Sequence, residues 1–141
     1  MQFSAAILAV AAASVASAEA VFKATDFAAG CIPHSAMCSY SFGVIQAGNG
    51  ETTPVQCKAL VQGTDGSLPE VTDGQGTCEE SSRTFTVAKT DAGLVLTVTQ
   101  PVTPSSNQSG SHTIAASELE FEQTGASSQQ KYTGAAAFDL E

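Results

Sequence analysis

The stretch SYSFGVIQAGNGETTPVQCKALVQ, residues 39–62, reads as two strands around a turn. Tyr40, Phe42 and Val44 alternate with Ser39, Ser41 and Gly43. That period of two sends the apolar set to one face of an extended chain. Gly48-Asn49-Gly50 follows, and because Asn and Gly tolerate positive φ it is a turn signal of the hairpin kind. In the returning arm, Thr53 to Gln62, residues Val55, Cys57, Ala59 and Val61 share a face, so Cys57 is expected to point inward.

The same period extends in both directions. Val21 to Phe27 is a first strand, broken at Gly30-Cys31, and Arg83–Lys89 with Leu94–Gln100 reads as a hairpin around Thr90-Asp91-Ala92-Gly93. Ser111 to Gln123 and Lys131 to Leu140 supply the last strands, separated by Thr124 to Gln130. Gly63 to Thr77 holds four glycines, one proline and three carboxylates without apolar periodicity, and reads as a long loop. Pro101 to Gly110 reads as a polar loop containing the glycosylation sequon Asn107-Gln108-Ser109, with Asn107 as the acceptor. No stretch sustains the spacing of a helix long enough for βαβ units. The expectation is an all-β, single-domain antiparallel β-sandwich or β-barrel of about seven or eight strands, stabilised by disulfides.

Composition narrows the function classes. Fourteen acidic residues against five basic ones give a formal charge of -9, and five scattered cations cannot build the footprint that nucleic acid requires. The same sign opposes adsorption to anionic lipid. Residues Ala5 to Ala16 form an apolar, small-residue run ending at Ala16-Ser17-Ala18. This is the form of a secretory signal cut before Glu19, and the run is too short and too rich in alanine for a membrane span. Residues 1–18 are therefore read as the signal peptide and residues 19–141 as one secreted, extracellular domain without a transmembrane segment.

Four cysteines in a small secreted chain are first a disulfide set. Three connectivities are open, and spacing favours Cys31 with Cys38 and Cys57 with Cys78. Each closure contributes roughly 2 to 3.5 kcal/mol in the chain-entropy model. A zinc site from Cys31, His34, Cys38 and His112 competes poorly, because zinc-binding cysteine pairs sit closer in sequence and thiols oxidise in this compartment.

Other constellations are weak. A triad built on Ser111, His112 and a distant carboxylate lacks any nucleophile elbow. Glu118, Glu120 and Glu122 share a strand face at intervals fit for carboxylate chemistry or calcium, but alternation with Leu119 and Phe121 makes them the solvent side of an amphipathic strand. Asp65, Glu70 and Asp73 lack EF-hand spacing, and Gly-Asp turns account for them. The expectation is no enzyme, no catalytic residue, no metal and no cofactor.

The order of elements carries a resemblance. A signal is followed by Val21-Phe22-Lys23-Ala24-Thr25-Asp26-Phe27, Tyr40-Ser41-Phe42-Gly43-Val44, Cys57-Lys58-Ala59, Cys78, Phe85-Thr86-Val87 and Leu94-Val95-Leu96-Thr97-Val98-Thr99-Gln100. This chain resembles the small secreted fungal proteins related to the major Alternaria allergen, in particular the hypersensitive-response-inducing protein elicitors of the rice blast fungus type. The resemblance implies a β-barrel or sandwich detected by a plant host, with cell death and defence as the response, and it maps the family's central disulfide onto Cys57 and Cys78. The allergen relatives also carry a C-terminal cysteine pair and an N-terminal cysteine that links dimers. This chain has no cysteine after Cys78 or before Cys31, so covalent dimerisation does not carry over. The expected partner is a plant cell-surface or membrane-associated protein, met through the loops Gly30–Cys38, Gly63–Thr77 and Pro101–Gly110. The alternative is an extracellular small-ligand or glycan-binding β-barrel module, and a weak hydrolase is a third possibility.

Overall fold

A computed structural model describes residues 20–48 and 50–141. The proposed signal peptide, residues 1–18, lies outside the described residues, as do Glu19 and Asn49. Ten strands are described: β1 Phe22–Cys31, β2 Met37–Gln46, β3 Val55–Gln62, β4 Val71–Cys78, β5 Thr84–Thr90, β6 Gly93–Thr103, β7 Ser106–Ala115, β8 Leu119–Thr124, β9 Ser127–Tyr132 and β10 Phe138–Leu140. All pairings are antiparallel, in the order β7-β6-β5-β4-β3-β2-β1-β9-β8, with β10 also on β1.

The all-β expectation holds, and the architecture is a nearly closed barrel. Closure depends on the C-terminal segment, since β10 pairs with β1 through Phe22↔Leu140. Glu141 exchanges main-chain bonds with Ser111 of β7, its N–H donating to the Ser111 carbonyl at 2.9 Å and its carbonyl accepting at 3.0 Å. β1 serves both β10 and β9 because it is bulged between Thr25 and Ala28, where Asp26 takes a φ of 51°.

Alternation fills the interior. Phe22, Ala24, Tyr40, Phe42, Val44, Cys57, Val61, Phe85, Val87, Leu94, Leu96 and Val98 are buried in one core cluster. Phe42 meets Phe85 edge-on at 4.9 Å, and Phe27 meets Tyr132 at 4.8 Å. The barrel interior is therefore filled by these side chains. The buried Tyr40 hydroxyl donates to the Pro69 carbonyl at 2.6 Å, and burial pushes its phenol well above the ordinary range.

Both disulfides form with the pairing that spacing favours, Cys31–Cys38 and Cys57–Cys78. Each joins directly opposed residues of neighbouring antiparallel strands. They suit an oxidising location. No helix among the described residues is long and apolar enough to cross a membrane.

Four sequence expectations are corrected. The strand count is ten rather than seven or eight. Gly63–Thr77 is not all loop, because it contains most of β4, whose inward positions are occupied by Val71, Gly76 and Cys78 with a register shift between Val71 and Gly76. A glycine in place of an apolar residue and a bulge erase the period of two. Pro101–Gly110 is a hairpin rather than a loop, and Asn107 lies exposed on β7 opposite Pro101. That hairpin is zipped by hydroxyl pairs, Thr97 with Ser111 at 2.9 Å and Thr103 with Ser106 at 2.9 Å, which carry no apolar signal. Finally, Ser111–Gln123 is divided by a 3-10 turn at Ala116–Glu118, and Lys131–Leu140 is divided between β9 and β10.

One end of the barrel is closed by a cation. Arg83 precedes Phe85 and Val87 at the same alternation and is only 5% exposed. Its guanidinium donates to both Glu51 carboxylate oxygens at 2.8 and 2.7 Å, to Gln100 Oε1 at 2.6 Å and to the Val44 carbonyl at 3.2 Å. It also lies 5.6 Å from the Phe22 ring centroid. The loop between β2 and β3 is thereby latched over the core.

Two predictions follow from the buried polar groups. Arg83→Met removes the guanidinium that Glu51, Gln100 and the Val44 carbonyl share and is expected to cost about 3 kcal/mol in urea denaturation; a loss below about 1 kcal/mol contradicts the latch. Because the Tyr40 phenol is harder to ionise folded than unfolded, its contribution to stability is constant below pH 10 and declines as the pH rises above the unfolded value of 10.0. Melting temperature should fall with pH above 10, and Tyr40→Phe should flatten that limb. An unchanged limb in Tyr40→Phe argues against it.

Candidate functional site

The connections β1–β2, β3–β4 and β5–β6 lie at one end of the barrel, and β2–β3, β4–β5 and β6–β7 at the other. Of the three expected contact loops, Gly30–Cys38 and Gly63–Thr77 therefore meet, while the tip of Pro101–Gly110 lies at the Arg83 end. The first two border a cleft of about 240 Å³ with the tip of the β8–β9 hairpin as its third wall. That hairpin was missed by sequence reasoning as a site element, because Ser127-Ser128-Gln129 is polar and reads as a spacer.

The cleft is built on main-chain joints. Gly63 N–H donates to the Ala36 carbonyl at 2.8 Å, and Gln130 N–H donates to the Gly66 carbonyl at 2.7 Å. The Gln130 side chain accepts from Leu68 N–H at 2.9 Å. The Cys31–Cys38 bridge closes the loop that carries Ile32, His34 and Ser35 to the rim. Gln129 is buried at the wall, accepting from Thr124 Oγ1 at 3.1 Å and donating to Ser127 Oγ at 2.5 Å.

Two side chains stand out by their backbone. His34 and Asp65 both line the cleft with positive φ, 59° and 55°. Left-handed conformations of non-glycine residues are costly and concentrate where a side chain must be aimed. The rim thus presents an imidazole, a carboxylate and the hydroxyls of Ser35, Ser127 and Ser128. No hydrogen bond among the described residues joins His34 to a serine or a carboxylate.

The other sequence candidates are dispersed. Ser111 and His112 are strand neighbours and project to opposite faces. The Ser111 hydroxyl pairs with Thr97, and the His112 ring stacks on Phe138 at 4.0 Å. Glu118 caps the turn by accepting from Ala115 N–H at 3.0 Å, while Glu120 accepts from Thr133 Oγ1 at 3.3 Å and Glu122 pairs with Lys131 at 3.1 Å. Burial, and then the charge of Glu118, push the Tyr132 phenol up. Phe121, read as the inward partner of these glutamates, is 55% exposed because β8 is the outermost strand and the barrel core does not extend beneath it. Glu70 accepts from Lys89 N–H at 2.9 Å, and Asp65 and Asp73 are exposed. Among the described residues no three His, Cys, Asp or Glu side chains are grouped to hold a metal ion. Both thiols of the alternative zinc set, Cys31 and Cys38, are joined in a disulfide.

Gly66 takes a φ of 76°, and the Ser128 carbonyl occupies the space where a Cβ would stand. Gly66→Ala is expected to push the β8–β9 tip away, costing about 1 to 3 kcal/mol and accelerating hydrogen exchange at residues 127–130. Gly48→Ala, at a φ of 83° with open space around it, should cost less and leave those amides unchanged. Equal effects of the two substitutions would show that the Gly66 contact does not hold the third wall. Comparison of the chain with protein-family models, with curated proteins and with solved structures returned no match.

Proposed function

We propose that this chain is a secreted, noncatalytic fungal effector or elicitor, recognised by a plant cell-surface or membrane-associated protein and answered by hypersensitive cell death and defence. The observation that carries the reading is the convergence of two expected contact loops on one polar cleft, braced by a disulfide and set on a barrel whose interior is filled. Such a surface is built to be bound. The apolar run Ala5–Ala16 and the A-x-A-like site at Ala16–Ala18 support export, and the charge of -9 favours a partner with cationic groups.

The small-ligand or glycan-binding reading draws on the same cleft, whose hydroxyls, imidazole and carboxylate match a small polyhydroxy compound. Native mass spectrometry of protein purified from its secreting host separates the two, since a retained polar ligand favours this second reading.

Recombinant residues 19–141, with both disulfides verified, should cause local cell death and defence-gene induction when infiltrated into leaves. His34→Asn combined with Asp65→Asn, which keep side chains that tolerate positive φ, should lower the response about tenfold without changing the melting temperature, whereas Thr53→Ala in the β2–β3 connection at the opposite end should not. A folded preparation that elicits nothing overturns the elicitor reading.

A further inference from the structure

Strand β3 is paired along its full length on one side and only briefly on the other. Against β2 its register runs from Val44↔Val55 to Met37↔Gln62, but against β4 it consists of Cys57↔Cys78 and Lys58↔Thr77. Glu79 N–H donates to the Gln56 carbonyl at 2.8 Å, which identifies the residues that face β4. Main-chain groups in a strand alternate sides with a period of two, so Lys58, Leu60 and Gln62 also turn N–H and C=O that way. Beyond Lys58 their partner has departed, because the irregularity between Val71 and Gly76 lets β4 follow β5 instead.

A groove of about 390 Å³ opens at the split, lined by Tyr40, Lys58, Leu60, Gln75 and Thr77 among others. Leu60 is 59% exposed, the most exposed large hydrophobic side chain among the described residues. Main-chain donors and acceptors at strand spacing beside an apolar side chain are what an added strand requires. The β4 side carries charge of one sign, with Asp73, Glu79 and Glu80 exposed, while Lys58 is engaged with Glu79 at 3.6 Å.

We propose that this opening binds an extended segment of a partner polypeptide, apolar at its centre and basic at its flanks, which pairs with β3 at Leu60 and Gln62. Two such positions span roughly 7 Å, so about four residues of the partner would enter. A second copy of this chain is a poor occupant. Pairing through β8 would bring Glu120 and Glu122 against the acidic side of the groove, and pairing through its own β3 opening would set Asp73 and Glu79 of one copy against those of the other. The proposal concerns a different face from the cleft and does not depend on the elicitor reading.

The test uses a fluorescein-labelled peptide of alternating valine and threonine with lysine pairs at both ends, titrated into residues 19–141 by fluorescence anisotropy. Saturable binding is expected, with slowed hydrogen exchange at the Leu60 and Gln62 amides. Leu60→Glu, at a side chain that packs into no core, should weaken binding about tenfold with an unchanged melting temperature. Methylating the peptide's central main-chain nitrogens should abolish it. The proposal is overturned by an absence of binding up to about 1 mM peptide, by indifference to Leu60→Glu or to N-methylation, or by protection confined to β8. A concentration-dependent dimer that protects Leu60 and Gln62 without peptide would overturn the choice of occupant.

Discussion

The Cys57–Cys78 bond stands where the sheet is weakest. Every other neighbouring pair from β1 to β7 shares a longer or more widely spread register, whereas β3 and β4 meet at two adjacent residue pairs, one of which is the cystine itself. An antiparallel barrel depends on each strand being held by both neighbours, since a single open seam exposes main-chain groups and releases the curvature that encloses the core. Here a covalent bond between opposed residues does what a ladder does elsewhere. It allows β4 to carry glycines and a bulge, and it permits the groove beside Leu60 without loss of closure.

The rest of the molecule is arranged around that seam. Beyond it the ends are finished by different means, one by the Arg83–Glu51 latch and the other by the β8–β9 hairpin and the Cys31–Cys38 loop. With only 141 residues, no tryptophan and few aromatics, the core is modest and its polar closures matter more than they would in a larger domain. Phe22, Tyr40, Phe42, Phe85 and Leu96 occupy the interior, and the cleft and the split open on the outside.

Much of the fold was legible because it obeys one period. Tyr40, Phe42, Val44, Val61, Phe85, Val87, Leu96 and Val98 alternate in the sequence and are buried in the structure. The Asp91-Ala92 turn and both cystines were likewise readable from spacing. What escaped was polar pairing. β4 and the β6–β7 tip are strands by register rather than by hydrophobicity, and β9 buries Gln129 through hydrogen bonds that composition does not announce. Arg83 shows the intermediate case: its place two residues before Phe85 pointed inward, but nothing local revealed that Glu51 would meet it. The cleft was half legible, since its two loops were expected and its third wall was not.

The account rests on the seam between β3 and β4 being held by its cystine, and comparison of two double variants tests this most directly. In the chain-entropy model the separations of 21 and 7 residues correspond to about 3.3 and about 2.4 kcal/mol, and the short ladder at the seam adds to the first. Thermal and urea unfolding should therefore show Cys57→Ala with Cys78→Ala to be the less stable pair by at least about 1 kcal/mol, with hydrogen exchange rising first along β3 and β4. Equal or greater loss from Cys31→Ala with Cys38→Ala, or exchange in β3 and β4 unchanged when their bridge is removed, would contradict it.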